Sequence, residues 1–137
     1  MGSALLKSKG RLGKGRFLGI PHNVWLHQDF ISLSPVALKL LIDILGQYHG
    51  GNNGDLVITR SFLKMRGWNS VSQTYKARDE LVEKGLILLA RQGGRNRCSL
   101  YAITWKNIDE CKGKIDIKPT VGSYRVFTGL VPYTRAA

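Results

Sequence analysis

The residues best suited to chemistry lie on one predicted helix near the middle of the chain. Its first two turns combine hydroxyl, amide, apolar and cationic side chains on the face away from the predicted core. Glutamine can bond adenine in a bidentate way, serine can bond several bases, and valine can contact a thymine methyl group. The predicted base-contacting residues are Ser70, Val71, Ser72, Gln73, Tyr75 and Lys76. The alternative is an ordinary solvated helix face.

Arginine side chains follow in the turn RQGGRNR, residues 91–97, which contains no acidic residue. Arginine at a loop tip can contact phosphates or enter the minor groove, although an ordinary charged turn has the same composition. The predicted backbone-contacting residues are Arg60, Arg66, Arg91, Arg95 and Arg97. Lys64 and Arg78 also flank the helices, and Arg78 lies near the edge of the inward face, where it could instead pair with an acid.

Two short helices are predicted to position these side chains. Thr59 is suited to cap the first helix, and Gly67 to end it. Ser70 and Gln73 have the spacing of a capping box that starts the second helix, which Gly85 ends. Its predicted inward face is Thr74, Ala77, Leu81 and Val82.

A β-hairpin is predicted directly after these helices. Its arms are Leu86–Ala90 and Ser99–Trp105, joined through Gln92–Asn96. Helix, turn, helix and basic hairpin form the order of a helix-turn-helix followed by a wing, in which the second helix enters the DNA major groove. Trp68, Tyr101 and Trp105 are predicted to be core residues where helix and hairpin meet.

An earlier helix should complete the core. Ser34-Pro35 is an N-cap followed by proline at the first helical position. Apolar residues then recur at the helical period, and the glycine-rich stretch at 49–51 should end the helix. The stripe is Ala37, Leu40, Leu41, Ile44, Leu45 and Tyr48. A short strand is expected at 55–58, and a short helix around 23–28 should bury Val24, Trp25 or Leu26.

The predicted fold class is therefore α+β, a winged helix with a three-helix core and a β-hairpin wing. The predicted divisions are a flexible basic arm at 1–16, the winged-helix domain at 17–118, and a C-terminal tail at 119–137. The arm combines glycine with spaced charges, a composition that cannot build a core. Its basic residues are Lys7, Lys9, Arg11, Lys14 and Arg16.

Charge is the strongest global signal. Over 137 residues, 21 Lys and Arg oppose 9 Asp and Glu, for a formal net charge of +12. This excess favours attraction to polyanions. No apolar run approaches the ~20 residues that span a bilayer, and no secretory signal is visible, so a cytoplasmic, nucleoid-associated protein without membrane contact is expected. Cys98 and Cys111 lack the spacing of a metal site and are expected to be free thiols.

Catalysis is not expected. The segment GKGRFLG at 13–19 lacks the GK[ST] ending of a phosphate-binding loop and no strand precedes it. His22 and His27 have no third ligand nearby, so core or surface histidines are favoured over a metal pair. We therefore predict no enzyme activity, no cofactor and no metal.

Three segments together resemble a known group of proteins. LSPVALKLLIDILGQYHGGNNGDL, LKMRGWNSVSQTYKARDELVEKGLI and RQGGRNRCSLYAITW resemble small winged-helix, helix-turn-helix domain-containing proteins of bacteria and their phages. They are also similar to the N-terminal domains of phage and plasmid replication initiators. The resemblance covers roughly residues 20–118 and implies DNA binding without identifying a target. Thr74 is a departure, since such proteins tend to carry leucine there.

The sequence thus predicts selective binding of double-stranded DNA, as a transcriptional regulator or a replication or mobile-element accessory factor. Two alternatives stay open. One is a winged-helix module that binds a protein partner, such as a phage-encoded inhibitor of a host nucleoprotein complex. The other is RNA or single-strand binding, which would require exposed aromatic residues. The oligomeric state is also open, a homodimer included.

Overall fold

The computed structural model describes residues 15–133, and within them the chain forms five α-helices and a two-stranded antiparallel sheet. The helices are α1 (His22–Trp25), α2 (Gln28–Ile31), α3 (Pro35–Leu45), α4 (Arg60–Met65) and α5 (Val71–Glu83); the strands are β1 (Ile87–Arg91) and β2 (Leu100–Ile103); a 3-10 turn spans Cys111–Gly113. The α+β class is confirmed, and the element order is compatible with a winged helix without being specific to it. Four predicted arm residues, Lys7, Lys9, Arg11 and Lys14, lie outside the described range, and Arg16 is exposed.

Helix α3 begins as predicted and ends earlier than predicted. The Ser34 hydroxyl accepts the Ala37 N–H at 3.2 Å, and Pro35 occupies the first turn. The helix ends at Leu45 instead of continuing to 49–51. The Gln47 side chain explains the difference, because it bonds both the N–H (2.9 Å) and the carbonyl (2.7 Å) of Val57 and so draws the chain into the next loop.

Helices α4 and α5 begin at the predicted caps. Thr59 accepts the Phe62 N–H at 3.3 Å, and Ser70 accepts the Gln73 N–H at 3.2 Å. The inward face of α5 is Thr74, Ala77 and Leu81. The prediction that Val82 belongs to it is wrong: Val82 is 40% exposed, because the helix turns it away from α3 toward the outer side of the hairpin.

Thr74 is buried, and its hydroxyl has a hydrogen-bond partner. Its Oγ1 donates to the Ser70 carbonyl at 2.9 Å, one turn earlier in the same helix. A buried hydroxyl with a hydrogen-bond partner avoids the desolvation penalty of an unsatisfied polar group. This bond accounts for a threonine at a position where an apolar residue was expected.

The hairpin pairs Ile87 with Ile103 and Leu89 with Tyr101, and a bulge follows between Leu89 and Arg91. The strand predicted at 55–58 is reduced to one bridge, between Leu56 and Tyr101. The ladder does not extend toward Ile103 because the Asn53 side chain occupies the Ile103 N–H (2.7 Å) and carbonyl (2.9 Å), the groups that a neighbouring strand would pair.

Both faces of the hairpin are covered. One face, with Ile87, Tyr101 and Ile103, packs on the helices in the main core. The other face, with Ala90, Leu100 and Ala102, packs against Ile108, Ile115 and Ile117 in a second cluster. All four residues of β2 are therefore buried, and the hairpin is held firmly at its base.

The segment predicted as a tail lies against the domain as far as residue 133. The Arg125 N–H donates to the Thr104 carbonyl at 2.8 Å, and the Val131 N–H donates to the Leu26 carbonyl at 2.9 Å. Between them Phe127 is 4% exposed and belongs to the main core. The described part of 119–137 thus lacks helix and strand but contributes to the packed core.

Candidate nucleic-acid interface

The turn between α4 and α5 is fixed by one buried carboxylate. Asp43 of α3 is 3% exposed. It accepts hydrogen bonds from Trp68 Nε1 (2.7 Å), Lys39 Nζ (2.9 Å) and Arg66 Nε (3.0 Å). Burial alone raises the pKa of Asp43, but these three donors outweigh it and hold the pKa below its ordinary value. A charged Asp43 thus ties α3 to the residues that set the angle of α5.

A second carboxylate fixes α5 from the other side. Glu80 accepts the Ser34 N–H at 2.8 Å and the Ser34 hydroxyl at 2.7 Å, so α5 caps the start of α3. Burial raises the pKa of Glu80, whereas the bonds from Ser34 and Lys84 lower it, and the pKa lies below its ordinary value. Glu80 thus joins α5 directly to the start of α3, and Asp43 joins α3 to the turn that precedes α5.

The predicted base-contacting residues lie together on the first two turns of α5. Ser72, Gln73, Tyr75 and Lys76 are exposed, and Ser70 and Val71 are half-buried. The Gln73 side chain makes no hydrogen bond within residues 15–133. Of the two hydrogen bonds of the predicted capping box, only the one from the Gln73 N–H to the Ser70 hydroxyl is therefore formed. The Gln73 side-chain amide is available to a ligand.

Charge is unevenly distributed along α5. Its acidic residues, Asp79, Glu80 and Glu83, all belong to the second half, and residues 71–78 contain none. A groove of about 480 Å³ separates the first turns of α5 from α4, and Arg60 and Lys64 line it. Among the residues described, Arg60, Lys64, Lys76 and Arg95 form no ion pair.

The hairpin returns toward the same end of the molecule. Gly85 has φ +70°, and the Leu86 N–H donates to the Leu81 carbonyl at 3.0 Å, which reverses the chain. Strand β1 then runs back along α5, and Leu89 and Gln92 line one groove with Asp79 and Val82 of that helix. The hairpin tip (residues 92–99) is the end of the hairpin farthest from the turn that joins α5 to β1.

The predicted backbone-contacting arginines divide into two groups. Arg60, Arg95 and Arg97 are exposed, and Arg97 has only a distant contact, 4.0 Å, with the exposed Asp116. Arg66 and Arg91 have structural partners: Arg66 bonds Asp43, and Arg91 Nη2 donates to the Cys98 carbonyl at 2.7 Å across the hairpin. The first group is available for phosphate, whereas the second braces the turn and the hairpin.

Arg78 is held by neighbouring side chains. Its Nε and Nη2 lie 2.9 and 2.8 Å from Asp79 Oδ1, and its guanidinium carbon lies 4.7 Å from the centre of the Tyr75 ring. Burial lowers the pKa of Arg78, but the bond to Asp79 and nearby charge raise it above the ordinary value. The predicted pairing of Arg78 with an acid is confirmed.

His22 and His27 make structural contacts. His27 Nδ1 accepts the Asp29 N–H at 3.0 Å and so caps α2, and its ring packs edge-on against Phe127. His22 packs edge-on against Trp25. Trp25 is 44% exposed, and Val24 fills the core in its place. Cys98 and Cys111 are free thiols, as predicted.

Sequence reasoning missed four residues that position this surface: Asp43, Asn53, Glu80 and Arg125. Asp43 had a visible signal, an acid inside an apolar helix with Lys39 one turn earlier. Asn53 has a buried amide that bonds the Ile103 N–H and carbonyl at 2.7 and 2.9 Å, locking the loop onto β2. Arg125 bonds Asp29 at 2.6 Å and the Lys84 carbonyl at 2.8 Å. These last pairings join distant parts of the chain and leave no pattern in it.

Comparisons with known proteins add no relative to this description. The chain matches no protein-family model, and neither the curated proteins nor the solved structures gave a significant match. The resemblance to bacterial and phage winged-helix proteins therefore rests on the residues alone and stays a prediction. Within residues 15–133, every helix is too short or too polar to cross a membrane.

Proposed function

We propose that this protein is a winged-helix protein that binds double-stranded DNA with sequence selectivity. The first two turns of α5 lie in the major groove, and the hairpin tip contacts the adjacent backbone. The observation that carries the proposal is the exposed polar start of α5 beside a groove lined by Arg60 and Lys64, which form no ion pair among residues 15–133. A hairpin that packs along α5 and carries exposed arginines at its tip supports it.

The distribution of acids supports this orientation. A duplex repels carboxylates and attracts lysine and arginine, and phosphate contacts supply much of the affinity. The half of α5 without acids would enter the groove, and the half with Asp79, Glu80 and Glu83 would leave it. A transcriptional regulator or a replication or mobile-element accessory factor fits this activity, and the proposal includes no catalytic step.

Binding to duplex DNA should depend steeply on salt. Neutralising Z phosphates gives a slope near −0.9Z in log K against log salt, so about five contacts predict a slope between about −4 and −5. Fluorescence anisotropy with a labelled duplex at several salt concentrations measures it. Arg95→Ala should make the slope of log K against log salt less negative by about one. The control Lys106→Ala, beyond the end of β2 remote from the hairpin tip, should leave it unchanged. A flat salt response of the folded protein contradicts the proposal.

Replacing Gln73 by alanine should separate specific from random binding. A lost bidentate contact costs roughly 1–3 kcal/mol at the matching base pair and little on random duplex. Thermal unfolding should change little, because the Gln73 side chain makes no hydrogen bond to other described residues. Gln28→Ala, an exposed glutamine on α2, is the control. Equal losses on both duplexes would show that Gln73 does not contact bases.

A second candidate function is a module that binds a protein partner. One observation favours it, an apolar groove of about 390 Å³ between α1, α2 and residues 131–133. Trp25, Ile31 and Tyr133 line this groove and are 44%, 50% and 65% exposed. If the folded protein shows no duplex affinity in the salt titration, while substitution of Trp25 or Ile31 abolishes binding to a purified protein partner, this function replaces the first.

A further inference from the structure

We propose that Arg78 is a specificity-determining residue that reads a guanine in the major groove, an inference that rests on the DNA-binding function proposed above. The side chain belongs to the second turn of α5, three residues after the exposed Tyr75. Three observations support this role: its confinement, its place between α5 and the hairpin, and the local charge balance.

The guanidinium of Arg78 is confined before any ligand arrives. Asp79 Oδ1 accepts from both Nε (2.9 Å) and Nη2 (2.8 Å), and the Tyr75 ring lies 4.7 Å from the guanidinium carbon. A free arginine side chain loses about 2 kcal/mol of rotamer entropy when it is fixed. Arg78 has already lost part of this rotamer entropy in the free protein, so its guanidinium plane is held in place for a bidentate acceptor.

The confinement also places the guanidinium between α5 and the hairpin. By helical spacing Arg78 belongs to the hairpin side of α5, close to the buried stripe, whereas Tyr75 and Asp79 lie on the exposed face. Its guanidinium contacts those two residues and also faces the buried Tyr101 of β2. The Arg78 side chain is 30% exposed and lines a groove between α5 and the hairpin.

The charge balance favours a base over a phosphate. Asp79 offsets the charge of Arg78 and is itself 69% exposed, so a phosphate at this position would meet a carboxylate. The O6 and N7 atoms of guanine are neutral acceptors in a plane, and a bidentate arginine is the commonest specific contact to them. Arg78 is therefore suited to discriminate between bases, whereas Lys64, which has no ion partner among residues 15–133, is suited to general attraction.

The experiment is selection of duplexes from a random-sequence library with the full chain, followed by affinity measurements on selected and random duplexes. The wild-type site should contain a guanine whose preference disappears in Arg78→Ala. Affinity for the selected site should fall about 5- to 150-fold, the range of one lost bidentate contact. Affinity for random duplex should change less than about threefold.

Two further variants exclude a purely structural or charge effect. Arg78→Lys keeps the charge but loses the planar fork, so it should retain random-duplex affinity and lose the guanine preference. Lys64→Ala, the matched control on the neighbouring helix α4, should weaken selected and random duplexes equally and leave the selected sequence unchanged. Circular dichroism of each variant checks the fold, and Arg78→Lys carries the test if Arg78→Ala does not fold.

The outcomes separate this inference from the proposed function. If the wild type enriches a sequence and both Arg78 variants enrich the same one with equal preference, the guanine-reading role is overturned while DNA binding stands. If either folded Arg78 variant weakens both kinds of duplex equally, Arg78 is a backbone contact and the inference also fails. If the folded wild type binds no duplex, the proposed function and this inference fail together.

Discussion

Replacing Asp43 by alanine is expected to lower the free energy of unfolding by about 3 kcal/mol. The substitution leaves the buried Trp68 indole N–H without its acceptor at 2.7 Å and removes the shared partner of Lys39 and Arg66. Removing one partner of a buried ion pair costs roughly 3–5 kcal/mol. The lower end applies because both cations are about half exposed and can turn to water.

Urea unfolding measures this loss, with Asp116→Ala as the matched control. Asp116 is 59% exposed and lies 4.0 Å from Arg97, so its removal should cost less than about 1 kcal/mol. If the two variants unfold at the same urea concentration, Asp43 does not hold the turn between α4 and α5.

Acid should reproduce part of this loss in the wild type. The pKa of Asp43 is lower in the folded protein than its ordinary value of 3.8, because the three donors outweigh the effect of burial. A depressed folded pKa contributes stability above the unfolded pKa, and that stability is lost as the pH falls through the folded pKa. As the pH is lowered below about 4, the free energy of unfolding should therefore fall less for Asp43→Asn than for the wild type, because asparagine does not titrate at this position.

Replacing Phe127 by alanine is expected to cost about 3–4 kcal/mol, although it lies in a segment without helix or strand. Phe127 is 4% exposed and packs in the main core, and Phe→Ala in a core typically costs 3–5 kcal/mol. Val126, its neighbour in sequence, is 74% exposed, so Val126→Ala should change stability by less than about 0.5 kcal/mol. Thermal or urea unfolding of the two variants gives the comparison, and similar stabilities would show that residues 119–133 do not belong to the core.

Local signals in the sequence were sufficient for the starts of α3, α4 and α5 and for the hairpin, whereas the one helix expected around 23–28 is two short helices, α1 and α2. Ser34, Thr59 and Ser70 each cap a helix as predicted, because an N-cap depends only on a side chain and a backbone N–H three residues later. The hairpin arms were correct to within one or two residues, since turn chemistry is equally local.

Longer-range competition explains where the predictions failed. The helix expected to reach 49–51 ends at Leu45, since Gln47 bonds the backbone of Val57. The strand expected at 55–58 is a single bridge, since the Asn53 side chain occupies the backbone of Ile103. Periodicity placed Val82 inside, but it is one position from Leu81, where the buried stripe of α5 ends. The direction in which neighbouring elements pack decides such edge positions.

The sequence by itself determined the α+β class, the starts of α3, α4 and α5, the exposed polar turns of α5 and the excess of positive charge, since these follow from local geometry and composition. Only the tertiary structure decided which charged groups remain available. It assigned Arg66 and Arg91 to bracing contacts, left Arg60, Lys64, Lys76 and Arg95 without ion pairs among residues 15–133, and buried Phe127 in the core. The physical reason is that each of these outcomes depends on a partner from a distant part of the chain. Asp43 meets Trp68 and Asp29 meets Arg125 only after the helices and the C-terminal segment have packed.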